Sequence, residues 1–311
     1  MSRRNKIICK LSIIFLLLFI ILTAAGCYML NYSLAPRDDR AEVDSVFIRQ
    51  YEEYPETKVW IDSLRNIHAF RDTFVVMPSG ERHHAYYIDN GKRSTALVLH
   101  GWRDSAARFL YLARIYDRDL GYNVIMPDFH AHGLSEGNDI RMGWLDRFDM
   151  MHWLTVLPSD TVVVHGVSMG GATAMMMSAE PIPSNIKDIR FIDDCGYTSV
   201  WDEFKGELKN QFGLPSFPLL NIASMLCDIR YGWNFKEASA LEQVKHCKHP
   251  MLFIHGDSDT FVPTEMVHRL YEAKPQPKEL WITKDTEHAL SYKNHTEEYI
   301  KKVREFCKKQ F

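Results

Sequence analysis

The chain has 311 residues, 46% of them hydrophobic and 25% charged, with a formal net charge of −3. That balance offers no basic field for nucleic acid or for anionic lipid, and the length, less an N-terminal segment, suits one α/β domain. The six cysteines show no C-x-x-C spacing and no framework, so free thiols are the expectation, with a Cys227–Cys247 bridge left open to an exported domain.

Arg3, Arg4, Lys6 and Lys10 precede an apolar run from Leu11 to Ala25, broken only by Ser12 and Thr23. With Gly26 to Leu30 included, the run reaches about twenty residues, enough to cross a bilayer. Positive charge at the amino end predicts that end inside and the rest of the chain on the extracytoplasmic side. An uncleaved anchor is favoured. Ala24-Ala25-Gly26-Cys27 resembles a lipobox, which would lipidate Cys27, but it lacks Leu at the third position before the cysteine. Ordinary signal cleavage is the third alternative. Residues 1–30 are thus expected to be an anchor or signal segment, and 31–70 a helical linker, broken near Pro55, that packs on or tethers the core.

From residue 71 to 311 a single α/β domain is expected. Arg71–Val76 and His84–Ile88, joined by Pro78-Ser79-Gly80, read as a hairpin, with His83-His84 in a surface strand. Thr95-Ala96-Leu97-Val98-Leu99 reads as a buried strand, and His100-Gly101-Trp102 follows it. Strands and helices then alternate in the βα pattern of a largely parallel sheet. His130 and His132 are spaced H-x-H, yet no further Asp-His follows them, so no metal site is expected there.

Gly166-Val167-Ser168-Met169-Gly170 has the form of a nucleophile elbow. The β-branched run Thr161-Val162-Val163-Val164 leads in, and the small-residue stretch Gly170-Gly171-Ala172-Thr173-Ala174 leads out as a helix. Gly166 and Gly170 lack a Cβ and so permit a sharp, strained turn that lifts Ser168. A serine hydroxyl needs a base to take its proton, and behind an elbow of this kind the acid comes next in the chain, then the histidine.

The acid candidate is Asp259, in the Gly-containing turn that ends the apolar strand Pro250–Gly256. Asp257 reads as a turn-former. Asp193 and Asp194 follow another strand, Ile189–Ile192, and Asp194 is the alternative acid. His288 follows the strand Glu279–Thr283 and is the candidate base. All three would meet at one edge of the sheet, where open α/β sheets bind ligands. An oxyanion would need N–H donors, and the backbones of Met169 and Trp102 are the candidates. The Trp102 indole is equally a cap-packing contact or a substrate wall.

Between Thr198 and about His249 the alternation fails. Trp201, Phe204, Leu208, Phe212, Leu219, Leu220, Trp233 and Phe235 fall here, with Pro215 and Pro218 as breakers. A helical cap over the site is expected, its aromatics mostly gluing cap to core and a minority lining an apolar pocket.

The motifs together resemble the α/β-hydrolases, specifically their serine aminopeptidase/lysophospholipase-like group, and most closely its membrane-anchored, YqkD-like hydrolases. The matching stretches are Leu97–Gly101, Gly121–Asp128, His132–Gly137, Gly166–Thr173, Asp194–Ser199, His255–Met266 and His288-Ala289. The resemblance implies the α/β-hydrolase fold after about Arg71 and a Ser168–Asp259–His288 triad. One departure is that His130-Ala131 stands where Arg-Gly is usual, which touches a supporting contact but not the triad. The expected activity is hydrolysis of an ester or related acyl bond through an acyl-enzyme, on a small-molecule acyl substrate and without a metal or organic cofactor. A short-peptide aminopeptidase, with Asp193, Glu203 or Glu207 holding a substrate ammonium, is the runner-up. An acyltransferase and a non-catalytic binding module follow. The oligomeric state is not readable from the sequence.

Overall fold

A computed structural model describes residues 3–311. The first two residues of the expected anchor segment lie outside the described residues. Helix α1 (Arg3–Leu34) runs unbroken past residue 30, followed by α2 (Val43–Glu53) and α3 (Pro55–Asn66), with Pro55 at the first turn of α3. That is where its missing N–H is harmless. The hairpin β1 (Phe70–Val76) and β2 (Arg82–Ile88) comes next, then β3 (Ser94–Leu99), α4 (Leu110–Arg114) and β4 (Asn123–Pro127). The chain continues through α5 (Asp146–Val156), β5 (Thr161–Val167), α6 (Met169–Met177) and β6 (Asp188–Asp194). Three helices, α7 (Val200–Phe212), α8 (Leu219–Tyr231) and α9 (Ala240–Val244), occupy the stretch where the cap is expected. After β7 (Met251–Gly256) and α10 (Glu265–Ala273), β8 (Lys278–Thr283), α11 (Ser291–Asn294) and α12 (Thr296–Lys308) complete the chain.

The eight strands form one sheet in the order β1-β2-β4-β3-β5-β6-β7-β8. The β1–β2 and β2–β4 pairs are antiparallel and the remaining pairs parallel. Val162, Val163 and Val164 are buried because β5 lies between β3 and β6, with apolar clusters on both faces of the sheet. One cluster packs α5, α6 and the cap against the sheet, and the other packs α2, α3, α4 and α12 against its back. In α12 the seam is Tyr299, Val303 and Phe306, spaced at helical period.

His83 and His84 differ from the surface-strand expectation, since both are fully buried. Strand β2 is an interior strand between β1 and β4. His84 is satisfied by Asp128 at 2.8 Å and Asp72 at 3.2 Å. Burial lowers the His83 imidazole to about 3, so it stays neutral. Cys195, Cys227, Cys247 and Cys307 are buried and unbridged.

The apolar stretch of α1 is long and apolar enough to cross a membrane, and its most apolar part is not buried. Its last turns behave differently. Leu30 and Leu34 are buried, and Gly26 fits against Ile222 and Leu226 of α8. A helix leaves its last four carbonyls without intrahelical partners, and here other parts of the fold supply them. Arg103 donates to the Tyr32 carbonyl at 2.7 Å and to Ala35 at 3.2 Å. The Trp102 indole donates to Ser33 at 3.0 Å, and the Ile140 N–H to Leu34 at 2.7 Å. The α1 end is docked against the sheet domain by these bonds.

Candidate active site

Strand β5 ends at Val167, and Ser168 takes φ 56° and ψ −117° before α6 begins at Met169. That conformation is sparsely populated for a residue with a side chain and persists only where its surroundings impose it. The flanking glycines allow it. A Cβ on Gly166 would strike the Gly170 carbonyl, and one on Gly170 would strike the Leu99 carbonyl. The Ser168 N–H donates to the Asp194 carbonyl at 2.8 Å, which ties the turn to the end of β6.

Asp259 lies in the turn after β7. Its Oδ1 accepts the N–H groups of Phe261 at 3.0 Å and Val262 at 2.9 Å, leaving Oδ2 to face His288 Nδ1 at 2.7 Å. His288 follows β8, and its Nε2 lies 2.9 Å from Ser168 Oγ. The three sequence-identified side chains thus converge from three strand ends into one hydrogen-bonded chain. Burial would raise the Asp259 carboxyl, but bonds from His255 and His288 outweigh it and hold the group down at about 2. Asp257, exposed, bonds Ser258 and the Thr286 N–H, as a turn-former does.

Asp194 is engaged elsewhere. Its Oδ2 accepts the Tyr299 hydroxyl at 2.8 Å, and burial raises it to about 6. Asp193 accepts the Gly196 N–H at 3.0 Å, with burial raising it to about 7. His130 and His132 do not converge on a common point. His132 donates to the His130 carbonyl and accepts the Arg103 N–H at 3.1 Å, while His130 faces Glu81 at 3.2 Å.

Met169 opens α6, so its N–H is one of the first-turn donors without an intrahelical partner, at the positive end of the helix dipole. A Cβ built on Gly101 would lie 3.8 Å from the Ser168 Cβ, so the turn carrying Trp102 abuts the serine. Trp102 and Met169 both line the small cavity beside Ser168. The Trp102 indole lines this cavity and bonds α1 through the Ser33 carbonyl, rather than a residue of the cap.

Sequence reasoning did not find every wall. Tyr32 and Ser33, from α1, also line this cavity, and no periodicity in a long apolar run signals what its end docks against. Glu203 and Glu207 of α7 reach it as well. Among the described residues Glu203 Oε2 is buried without a hydrogen-bond partner, and burial raises that carboxyl well above its ordinary range. His255 was missed too. It lies four residues before Asp259 and 3.2 Å from its Oδ2. Wider surface clefts, such as the one along α12 near Arg304, contain none of these groups.

No family model matches the chain. It is 30% identical over 259 residues to the uncharacterized protein YqkD of Bacillus subtilis, which spans 81% of this chain and 84% of that one. The α/β hydrolase domain-containing protein WAV2 of Arabidopsis thaliana is 24% identical over 212 residues, 65% of this chain and 66% of its own. Among solved structures, the esterase Pf2001 of Pyrococcus furiosus superposes with a TM-score of 0.63 at 26% identity, covering 79% of this chain and 93% of that one.

Proposed function

The chain belongs to the α/β-hydrolase superfamily, and from that premise we propose that it is a serine esterase using Ser168, His288 and Asp259. The observation that carries this reading is the relay from Ser168 Oγ to His288 Nε2 at 2.9 Å and from His288 Nδ1 to Asp259 Oδ2 at 2.7 Å. His288 takes the serine proton as Oγ forms a bond to the ester carbon. The C–O bond then breaks, and His288 passes that proton to the departing alcohol. Water next attacks the acyl-enzyme with His288 as base, the acid leaves, and Ser168 regains its proton. Asp259, ionised down to about 2, keeps the Nδ1 proton in place and stabilises the imidazolium. The Met169 and Trp102 N–H groups hold the oxyanion, each donor being worth about 3–4 kcal/mol in comparable sites.

A peptidase is the second reading, because Glu203 and Glu207 stand in the cavity wall. It is the weaker one. Burial raises the Glu203 carboxyl well above its ordinary range, which disfavours the charged form that a substrate ammonium would need as counter-ion. Comparing p-nitrophenyl esters with aminoacyl p-nitroanilides separates the two. Turnover of esters is expected, and selective turnover of anilides would reverse the order.

Placement follows from α1. The basic residues Arg3, Arg4, Lys6 and Lys10 hold the amino end in the cytoplasm, and the catalytic domain sits outside on an uncleaved anchor. Processing at Cys27 would still retain Tyr28 to Leu34.

A further inference from the structure

A second small cavity adjoins the one beside Ser168. Tyr32, Ser33 and Phe204 are shared with this second apolar lobe, which continues along Met29 and Phe212 to Leu219 and Ala223 at the start of α8. One side of both lobes is therefore α1, the same helix whose apolar run is exposed on every side. Met29 lies in the last turn of the roughly twenty-residue stretch, Leu11 to Leu30, that is needed to cross a bilayer. The second lobe thus sits at the level where α1 leaves the hydrocarbon of a bilayer.

Neighbouring surface agrees with that level. Gly26 of α1 packs against Ile222 and Leu226 of α8. On the same helix Met225 and Ile229 are 51% and 74% exposed, and on α1 Tyr28 is 62% exposed. Large apolar and aromatic side chains beside the end of a membrane span belong to the interfacial belt. A lipid chain entering such a lobe from that belt would not have to pass through water.

We propose that the end of α1 is a working wall of the acyl pocket, so that the acyl chain of a bilayer lipid ester enters sideways from the membrane to reach Ser168. The chain lies between α1 and helices α7 and α8, and the ester carbonyl reaches the elbow. The headgroup alcohol leaves on the aqueous side with the proton that His288 delivers. The two lobes are narrow, about 50 and 40 Å³. A chain longer than a few carbons must therefore part the contact between α1 and α7, where the Tyr32 hydroxyl donates to Gln211 Oε1 at 2.7 Å and the Tyr32 ring meets Phe212 edge-on at 5.7 Å. Tyr32 is thus a specificity-determining residue at the junction of the two lobes. This inference rests on the serine-hydrolase reading above.

The test uses the full chain in phosphatidylcholine vesicles and alkyl fluorophosphonates, which phosphonylate an activated serine. A long-chain probe carries a photoreactive diazirine at its tip, and a short-chain probe serves as reference. After irradiation, cross-links from phosphonylated Ser168 are expected in the segments 26–34 and 212–223. Cross-links confined to other segments would overturn the proposal. The ratio of long- to short-chain labelling rates should fall at least about tenfold in Met29→Trp and in Leu219→Trp, since a filled pocket rejects a longer chain. The short-chain rate reports whether each variant has folded. An unchanged ratio in both variants would also overturn it. Failure of both probes to label Ser168 would instead strike the serine-hydrolase reading, and this inference would fall with it.

Discussion

His255 Nε2 lies 3.2 Å from Oδ2 of Asp259, the same oxygen that meets His288 Nδ1 at 2.7 Å. His255 is fully buried, and its Nε2 also donates to the Val262 carbonyl at 2.9 Å. Burial would lower this imidazole, but its bonds to Asp259 and Val262 hold it above its ordinary value. On the proposed mechanism it would be a positioning residue, fixing the carboxylate that faces His288. We expect His255→Phe to lower kcat/KM for esters by about tenfold at pH 7, with kcat carrying most of the loss. A change confined to KM, or a loss fully explained by unfolding in circular dichroism, would remove His255 from this role.

Stability should depend on pH through Asp193. Burial raises its carboxyl to about 7, with Asp194 adding repulsion and His255 opposing it. The unfolded chain releases this proton near the ordinary carboxylate value. Between that value and about 7 the native state therefore holds more protons, and stability falls as pH rises through the window. Asp193→Asn removes that cost and keeps an oxygen to accept the Gly196 N–H. Its thermal midpoint should exceed the parent's by little at pH 4 and by more at pH 8, where the gain is on the order of 1–3 kcal/mol. Equal differences at the two pH values would show that the buried carboxyl does not titrate as described.

The elbow glycines should be separable from an ordinary glycine. At Gly170 a methyl group would collide with the backbone carbonyls of Leu99 and His100, which β3 holds in place. We expect Gly170→Ala to cost at least about 3 kcal/mol in denaturant melts. Gly206, inside α7 with open space beside its Cα, is the control. There the alanine should stabilise by up to about 1 kcal/mol. Similar effects at both positions would mean that the elbow is looser than its contacts imply.

Arg103 joins the catalytic domain to α1. Its guanidinium serves the carbonyls of Tyr32 and Ala35 and stacks 4.5 Å over the Trp102 ring. A cation at a helix C-terminus also meets the negative end of the helix dipole. Arg103→Ala should cost about 1–3 kcal/mol and speed hydrogen exchange across residues 28–35. Unchanged exchange in that segment would mean that other contacts hold α1.

What the sequence made legible were features written in short windows. The Val162-Val163-Val164 run marks a strand buried on both faces, and Gly166 and Gly170 mark a turn with no room for a Cβ. Asp259 and His288 each follow an apolar run, which suffices to place them at strand ends. Features set by distant packing were not legible. His83 and His84 are two adjacent polar residues and were expected in a surface strand, yet β2 is an interior strand because β4 pairs with its second edge. Nothing in the local pattern of Tyr32 and Ser33 tells that the end of an apolar helix will wall a cavity 135 residues away, at Ser168. Likewise the sequence offers Glu203 as an acidic residue of the cap, but not its burial.

The most direct measurement is kcat/KM for p-nitrophenyl butyrate with the parent chain and with Ser168→Ala, both shown to fold alike. If Ser168 is the nucleophile, the variant should lose about 10⁴-fold or more, as removal of a catalytic serine does elsewhere. Turnover by the variant within about tenfold of the parent, a difference of about 1.4 kcal/mol, would contradict the assignment.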